Sequence, residues 1–487
     1  MIDRTQCAIA LSLLTLASTA AAQWTQATPA TSPSPRTRPA MAFDGNATVL
    51  FGGADISGFP PTNFADTWTW NGATWTQRSP ATSPPARHFA GMAHDVQRAR
   101  TVLYGGLNTT LIQSQYRDDT WEWDGTNWTQ VTTAHSPGSI FGSNGVGEVS
   151  MAYDLIGQRV VLFGGELFQG IVPAPALTLE YDGVDWTQAT TAVAPPRRSQ
   201  AALCSAPTLG GVLLFGGTNF NNPPGPLGEI TWNDTWMYSS LSHTWTQLNP
   251  TGPLPPPRAG ASLLFDGNTG LCVMHGGYGS GASSITPFSD TWVFDGTSWT
   301  DVTATYGTPS GPRVRFSTSE GPANLHVLFG GTTAFFSAPN NETWVQGPLA
   351  EAVTFGAGCN GSNGTPALNV GTRPVLGTGF RLDVANLPPS SLFGFGLVGF
   401  SDTLSPLGLL PLNLAPFGLG AGCNLLCSGE ATNLFPVNGA TGSVTFNLSG
   451  DPAFSGLFFY YQFASIDAAA PGGFAVSNGV RARFGIY

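Results

Sequence analysis

Six glycine doublets, each closing an apolar run, govern what this chain can fold into. They stand at Gly52-Gly53, Gly105-Gly106, Gly164-Gly165, Gly216-Gly217, Gly276-Gly277 and Gly330-Gly331, at intervals of 52 to 60 residues. Around them the chain repeats one grammar. In the clearest copy Val49-Leu50-Phe51 runs into the doublet, a variable loop follows, and then come Asp66-Thr67-Trp68 and, after an Asn71-Gly72 turn, Trp75-Thr76-Gln77. Apolar alternation broken by Gly, Asn-Gly and Asp-Gly signals reads as short antiparallel strands joined by hairpins. Each repeat therefore predicts four strands: a small-residue run such as Arg87–Ala93, the run into the doublet, the Asp-Thr-Trp segment and the closing Trp-Thr-Gln segment. A unit that cannot bury both its faces alone must stack on its neighbours.

The period, the doublet and the spaced tryptophans over residues 23–348 resemble the kelch superfamily, which includes the central domain of galactose oxidase and six-bladed sialic acid epimerases. The resemblance implies an all-β chain with a six-bladed kelch-type β-propeller, one repeat per blade. It specifies fold better than function. The sixth repeat runs through Asn341-Glu342-Thr343-Trp344 without a closing Trp-Thr, whereas Gln23-Trp24-Thr25-Gln26 holds a closing segment with nothing before it. The strand around Trp24 is expected to complete blade six and remove an open edge.

Residues 351–487 change grammar and predict a C-terminal β-sandwich, with strand candidates including Phe380–Val384, Leu392–Phe400, Ser443–Leu448, Leu457–Phe463 and Val480–Ile486. The Phe355–Cys359 segment, Gly399–Asp402, Leu412–Pro416 and Gly422-Cys423 resemble a domain found on secreted proteins of planctomycete-like bacteria. Residues 1–22 read as an export signal, with Arg4, an apolar Ala8–Ala17 core and Ala20-Ala21-Ala22 before Gln23, so a secreted protein is expected. Export makes disulfides permissible, and Cys359 is expected to pair with Cys423 or Cys427.

The chain holds 18 arginines and no lysine, with a formal net charge of −11. Schiff-base chemistry and a lysine phosphate loop are excluded, and neither nucleic acid nor an anionic membrane suits such a charge. The likeness to galactose oxidase would imply copper held by two histidines and two tyrosines. None of the six histidines (His88, His94, His135, His243, His275, His326) forms a close ligand pair, so no metal or cofactor is expected. His275 occupies the place of Phe51 and reads as core.

Asp66, Asp119, Asp234, Asp290 and Glu342 recur in five of the six repeats, blade three lacking its copy, so they are expected to serve the blade by bonding turn backbone. Arginine recurs at the start of strand one: Arg36, Arg87, Arg197 or Arg198, Arg258 and Arg313, with Arg38 and Arg315 nearby. Blade three departs, with Val146 at that place and Glu148 where blade two has Phe89, beside His88. Strand-one starts and the strand two–three loops share one propeller face, so these groups are expected near the channel mouth, where guanidinium forks would take an acidic sugar or peptide. The competing reading has the arginines bonding blade-linking carbonyls. Loop aromatics Phe59, Phe64, Phe168, Phe220, Phe335 and Phe336 could add a stacking surface. The leading expectation is a binding or scaffold protein with a protein or carbohydrate ligand and no membrane insertion. The alternative is a carbohydrate-active enzyme, oxidase- or epimerase-like, on the same face.

Overall fold

A computed structural model describes residues 24–487, apart from 111–113, 168–171, 220–229, 268, 281–284, 310, 323–324, 335–336, 348–350, 390, 418, 420–422, 450–453, 455–456 and 486–487. The export segment 1–22 and the loop residues Phe168, Phe220, Phe335 and Phe336 lie outside the described residues. Six four-stranded antiparallel sheets form a six-bladed propeller. Blade one is Ala40–Phe43, Thr48–Phe51, Thr67–Trp70 and Trp75–Arg78, in that order from the axis outward. Blade six has Ser317–Gly321, Leu325–Phe329 and Thr343–Gln346, and its outer strand is Trp24–Ala27, with Trp24 opposite Gln346 and Ala27 opposite Thr343.

The repeated residues are explained by how blades meet. The first glycine of each doublet lies against the next blade: a Cβ on Gly52 (φ +68°) would sit 2.4 Å from the Arg87 carbonyl oxygen, and one on Gly105 would sit 2.5 Å from that of Val146. Only glycine tolerates both that approach and the left-handed backbone. The second glycine's N–H then bonds the same carbonyl, Gly53 to Arg87 at 2.9 Å. Closing tryptophans stitch blades in the other direction. The indole N–H of Trp128 donates to the Thr67 hydroxyl at 2.9 Å, that of Trp186 to Thr120 at 2.9 Å and that of Trp75 to Thr343 at 2.8 Å. Blade six varies the stitch. Trp24 packs on His275 with ring centroids 5.4 Å apart, and the Thr291 hydroxyl is 3.0 Å from His275 Nδ1. His275 is a buried core residue.

The C-terminal strands hydrogen-bond as one eight-stranded antiparallel sheet that curls toward closure. From one end its strands are Glu351–Phe355, Phe474–Arg483, Phe458–Ile466, Phe393–Gly399, Ala431–Asn438, Thr441–Asn447, Gly379–Ala385 and Ala367–Val370. The last strand returns to the second, where the Leu368 backbone exchanges hydrogen bonds of 2.8 and 3.0 Å with the Asn478 side chain. Phe380, Leu382, Phe459, Tyr461 and Phe463 fill the interior. Cys359 bonds Cys423, while Cys204, Cys272 and Cys427 are buried free thiols. Thiol titration of unfolded, unreduced residues 23–487 should therefore count three cysteines. A count of five would contradict the pairing.

Candidate functional site

The five repeated arginines do not reach a ligand surface. Arg36, Arg87, Arg198, Arg258 and Arg313 are 0–1% exposed. Each forks onto the acidic residue at the start of its own blade's third strand. Arg36 reaches Asp66 at 2.6 and 2.9 Å, Arg87 reaches Asp119 at 2.6 and 2.8 Å, Arg198 reaches Asp234 at 2.6 and 2.8 Å, and Arg258 reaches Asp290 at 2.6 and 2.7 Å. Arg313 pairs with Glu342. The same guanidiniums hold the first doublet carbonyl, Arg87 to Gly105 at 3.0 Å, and a blade-linking proline carbonyl, Arg87 Nε to Pro85 at 3.0 Å. The carboxylate is completed by the indole N–H two residues on, as from Trp121 to Asp119 at 2.7 Å.

This corrects two expectations. The arginines are structural, and the aspartates accept arginine and indole N–H rather than turn backbone. Burial opposes ionisation of Asp66, Asp119 and Asp290, but the bonds and charge of their arginines outweigh it and hold them below the ordinary carboxylate range. Arg197 is exposed beside the place that Arg198 fills. Blade three loses both halves of the motif together: Val146 is fully buried among Ala174, Leu177 and other apolar neighbours.

Two residues beyond each of these positions the chain turns onto the propeller axis. Arg38, Phe89, Glu148, Gln200, Gly260 and Arg315 all have left-handed backbone, with φ of 51°, 60°, 54°, 52°, 61° and 59°. Their main chains clasp in sequence around the axis, five of the six N–H groups reaching the carbonyl of the preceding blade. Arg38 bonds Arg315 at 2.8 Å, Phe89 bonds Arg38 at 3.3 Å, Glu148 bonds Phe89 at 3.0 Å, Gln200 bonds Glu148 at 3.4 Å and Gly260 bonds Gln200 at 2.9 Å. Five side-chain-bearing residues in a region that sterics disfavour need a surrounding structure that imposes it, and here the ring does so. The backbone is sixfold; the side chains are not. The ring caps a cavity of about 620 Å³ that continues along the inner strands to Phe43, His94, Tyr153 and Phe265.

The asymmetry concentrates on blade three. Glu148 accepts from Arg38 Nη1 at 2.9 Å and from Gln200 Nε2 at 2.7 Å, so both its oxygens face donors. Arg38 also lies over the Phe89 ring, 3.4 Å from its centroid. Tyr278 donates to Gln200 Oε1 at 3.3 Å. Behind Glu148, Glu166 follows the blade-three doublet, pairs its backbone with Gly147 and accepts the Tyr116 hydroxyl at 2.8 Å. Burial and the neighbouring Glu148 push Glu166 up to about 8. Burial, with Arg38 and Arg315, pushes His88 down to about 3; its Nδ1 lies 2.7 Å from Asn63 Oδ1. Burial and Arg38 lower Arg315 to about 10, still charged at neutral pH.

Of the residues singled out from sequence, the structure brings Arg38, Glu148 and Arg315 together with His88 beside them, and removes Arg36, Arg87, Arg197, Arg198, Arg258 and Arg313 from the site. Sequence reasoning missed Phe89, Gln200, Gly260 and Glu166 as site members. One signal could have found the first three: the ring position is a column of the repeat in which residue type is not kept. Among the described residues no group of three or more His, Cys, Asp or Glu is placed to hold a metal ion.

Residues 149–347, which span most of blades three to six, match the KLHDC2/KLHL20/DRC7 Kelch-repeats domain. The flagellar outer arm dynein alpha chain of Chlamydomonas reinhardtii is 29% identical over 175 residues, covering 33% of this chain and 4% of the dynein chain. The chain thus spans a small fraction of that relative's length, and the likeness is to one stretch of it. Kelch propellers mediate protein interactions, and a binding or scaffold role is consistent with this one. No helix among the described residues is long and apolar enough to cross a membrane.

Proposed function

We propose that this kelch-type propeller is a secreted binding module that holds a ligand with an acidic group, a sugar acid or an acidic peptide, against its axial ring. One observation carries the reading. The only ring positions that carry charge are Arg38, Glu148 and Arg315, and all three line the cavity. With Glu166 protonated and His88 neutral, two guanidiniums face one carboxylate, and the mouth is electropositive on a chain of net charge −11. Guanidinium forks in a half-buried setting select carboxylates. Export rests on the segment 1–22 and belongs to the same proposal.

Calorimetric titration of the intact protein with uronates and acidic peptides tests it. The variant R315Q and the charge-matched double variant R38Q/E148Q should each bind about tenfold or more weakly, the worth of a charged hydrogen bond. Their melting temperatures should stay near that of the parent. Unaltered affinity in both variants, or no binding of any acidic probe, would refute the reading. The alternative of a carbohydrate-active enzyme has one feature on its side, the buried Glu166 carboxyl that Glu148 and burial push upward. Turnover of a uronate by the protein, followed by NMR, would favour it.

A further inference from the structure

We propose that Glu166 is the specificity-determining residue of the mouth: it stays a neutral carboxylic acid that donates to Glu148, and by holding that proton it makes the ring an anion site. The inference rests on the reading above and names the device that sets its charge selectivity.

The geometry leads to it directly. Glu166 is 6% exposed and Glu148 is 9% exposed. Glu148 already accepts from Arg38 and Gln200, one on each oxygen. Among the described residues the side-chain donor to Glu166 is the Tyr116 hydroxyl, and burial with the neighbouring Glu148 outweighs the pull of Arg38 on it. Of two buried carboxyls side by side, the one with fewer donors keeps its proton to higher pH. The groups around the pair are, blade by blade, Arg38; His88 and Tyr116; Gln200; Tyr278; and Arg315. His88 is neutral above about 3 and Arg315 stays charged to about 10, so between these limits the Glu166 proton is the ring's variable charge. Losing it gives two carboxylates against two guanidiniums, and the attraction for an anion is lost.

Glu166→Gln is the decisive variant. The amide can accept from Tyr116 and donate to Glu148, so it copies the protonated acid and cannot ionise. The full-length protein labelled at the glutamate δ-carbon, followed by carbon NMR, should show one carboxyl with its midpoint near 8, missing from E166Q. With glucuronate as the probe anion, parental affinity should fall about tenfold between pH 6.5 and 9.5, the size of a unit charge acting over roughly 10 Å at an effective dielectric near 20. E166Q should keep its affinity at pH 9.5. By reciprocity, saturating glucuronate should raise the Glu166 midpoint by about one unit. Absence of a glutamate carboxyl near 8 that E166Q removes, the Glu320 carboxyl that burial raises to about 7 being present in both, or identical pH profiles for parent and E166Q, would overturn the proposal. A midpoint near 8 in a protein that takes no glucuronate at pH 6.5 would instead overturn the anion-binding reading on which it rests.

Discussion

Replacing Arg87 and Arg258 together with methionine should leave a propeller that barely folds at room temperature. Each guanidinium is about 1% exposed and satisfies an aspartate, a doublet carbonyl and a linker carbonyl at once. Removing one partner of a buried ion pair strands the other charge and costs about 3–5 kcal/mol. The two sites share no partner, so their costs should add to about 6–10 kcal/mol. Domains of this kind hold only about 5–15 kcal/mol in all. Urea unfolding followed by tryptophan fluorescence measures it; a midpoint close to the parent's would contradict the structural role. Blade three supplies the control. Val146 sits in apolar surroundings where the others carry Arg and Asp, so the protein already holds one blade with both halves replaced. Accordingly R87M/D119L should recover much of what R87M loses.

The second large effect is expected from deleting the chain through Ala27. This removes the outer strand of blade six, whose register runs from Trp24–Gln346 to Ala27–Thr343. Trp24 is 8% exposed and packs with Phe316, Leu328 and Trp344. Loss of a buried tryptophan alone costs about 3–5 kcal/mol. The deletion also bares the edge of Thr343–Gln346, which invites pairing between chains. A fall in melting temperature of about 10 °C, with concentration-dependent aggregation, is the expected result. An unchanged melt would show that the ring does not depend on this closure.

Much of the fold was legible because a propeller writes its contacts into every repeat. Gly52-Gly53, Asp66-Thr67-Trp68 and Trp75 each serve a joint that occurs again in the next blade, so their spacing is visible without coordinates. The C-terminal strands were less legible. Glu351–Phe355, Ala367–Val370 and Ala431–Asn438 escaped notice: the first pairs with the far Phe474–Arg483 strand, and the other two each bury a single residue, so their alternation is weak. The site was legible only in part. Arg36 and Arg38 look equivalent on paper, two residues apart in an arginine-rich stretch. One is sealed against Asp66, and the other stands at the axis over Phe89.

The sequence alone determined the number of blades, their four-strand grammar and the residues that recur, since these follow from local periodicity, turn chemistry and glycine sterics. Tertiary structure decided the partners. Whether a guanidinium meets an aspartate thirty residues away or the cavity depends on a left-handed turn that all six blades impose on one another. Whether Glu166 carries a proton depends on burial beside Glu148 and on which of the two receives Arg38. Those are long-range electrostatic facts, and no spacing along the chain encodes them.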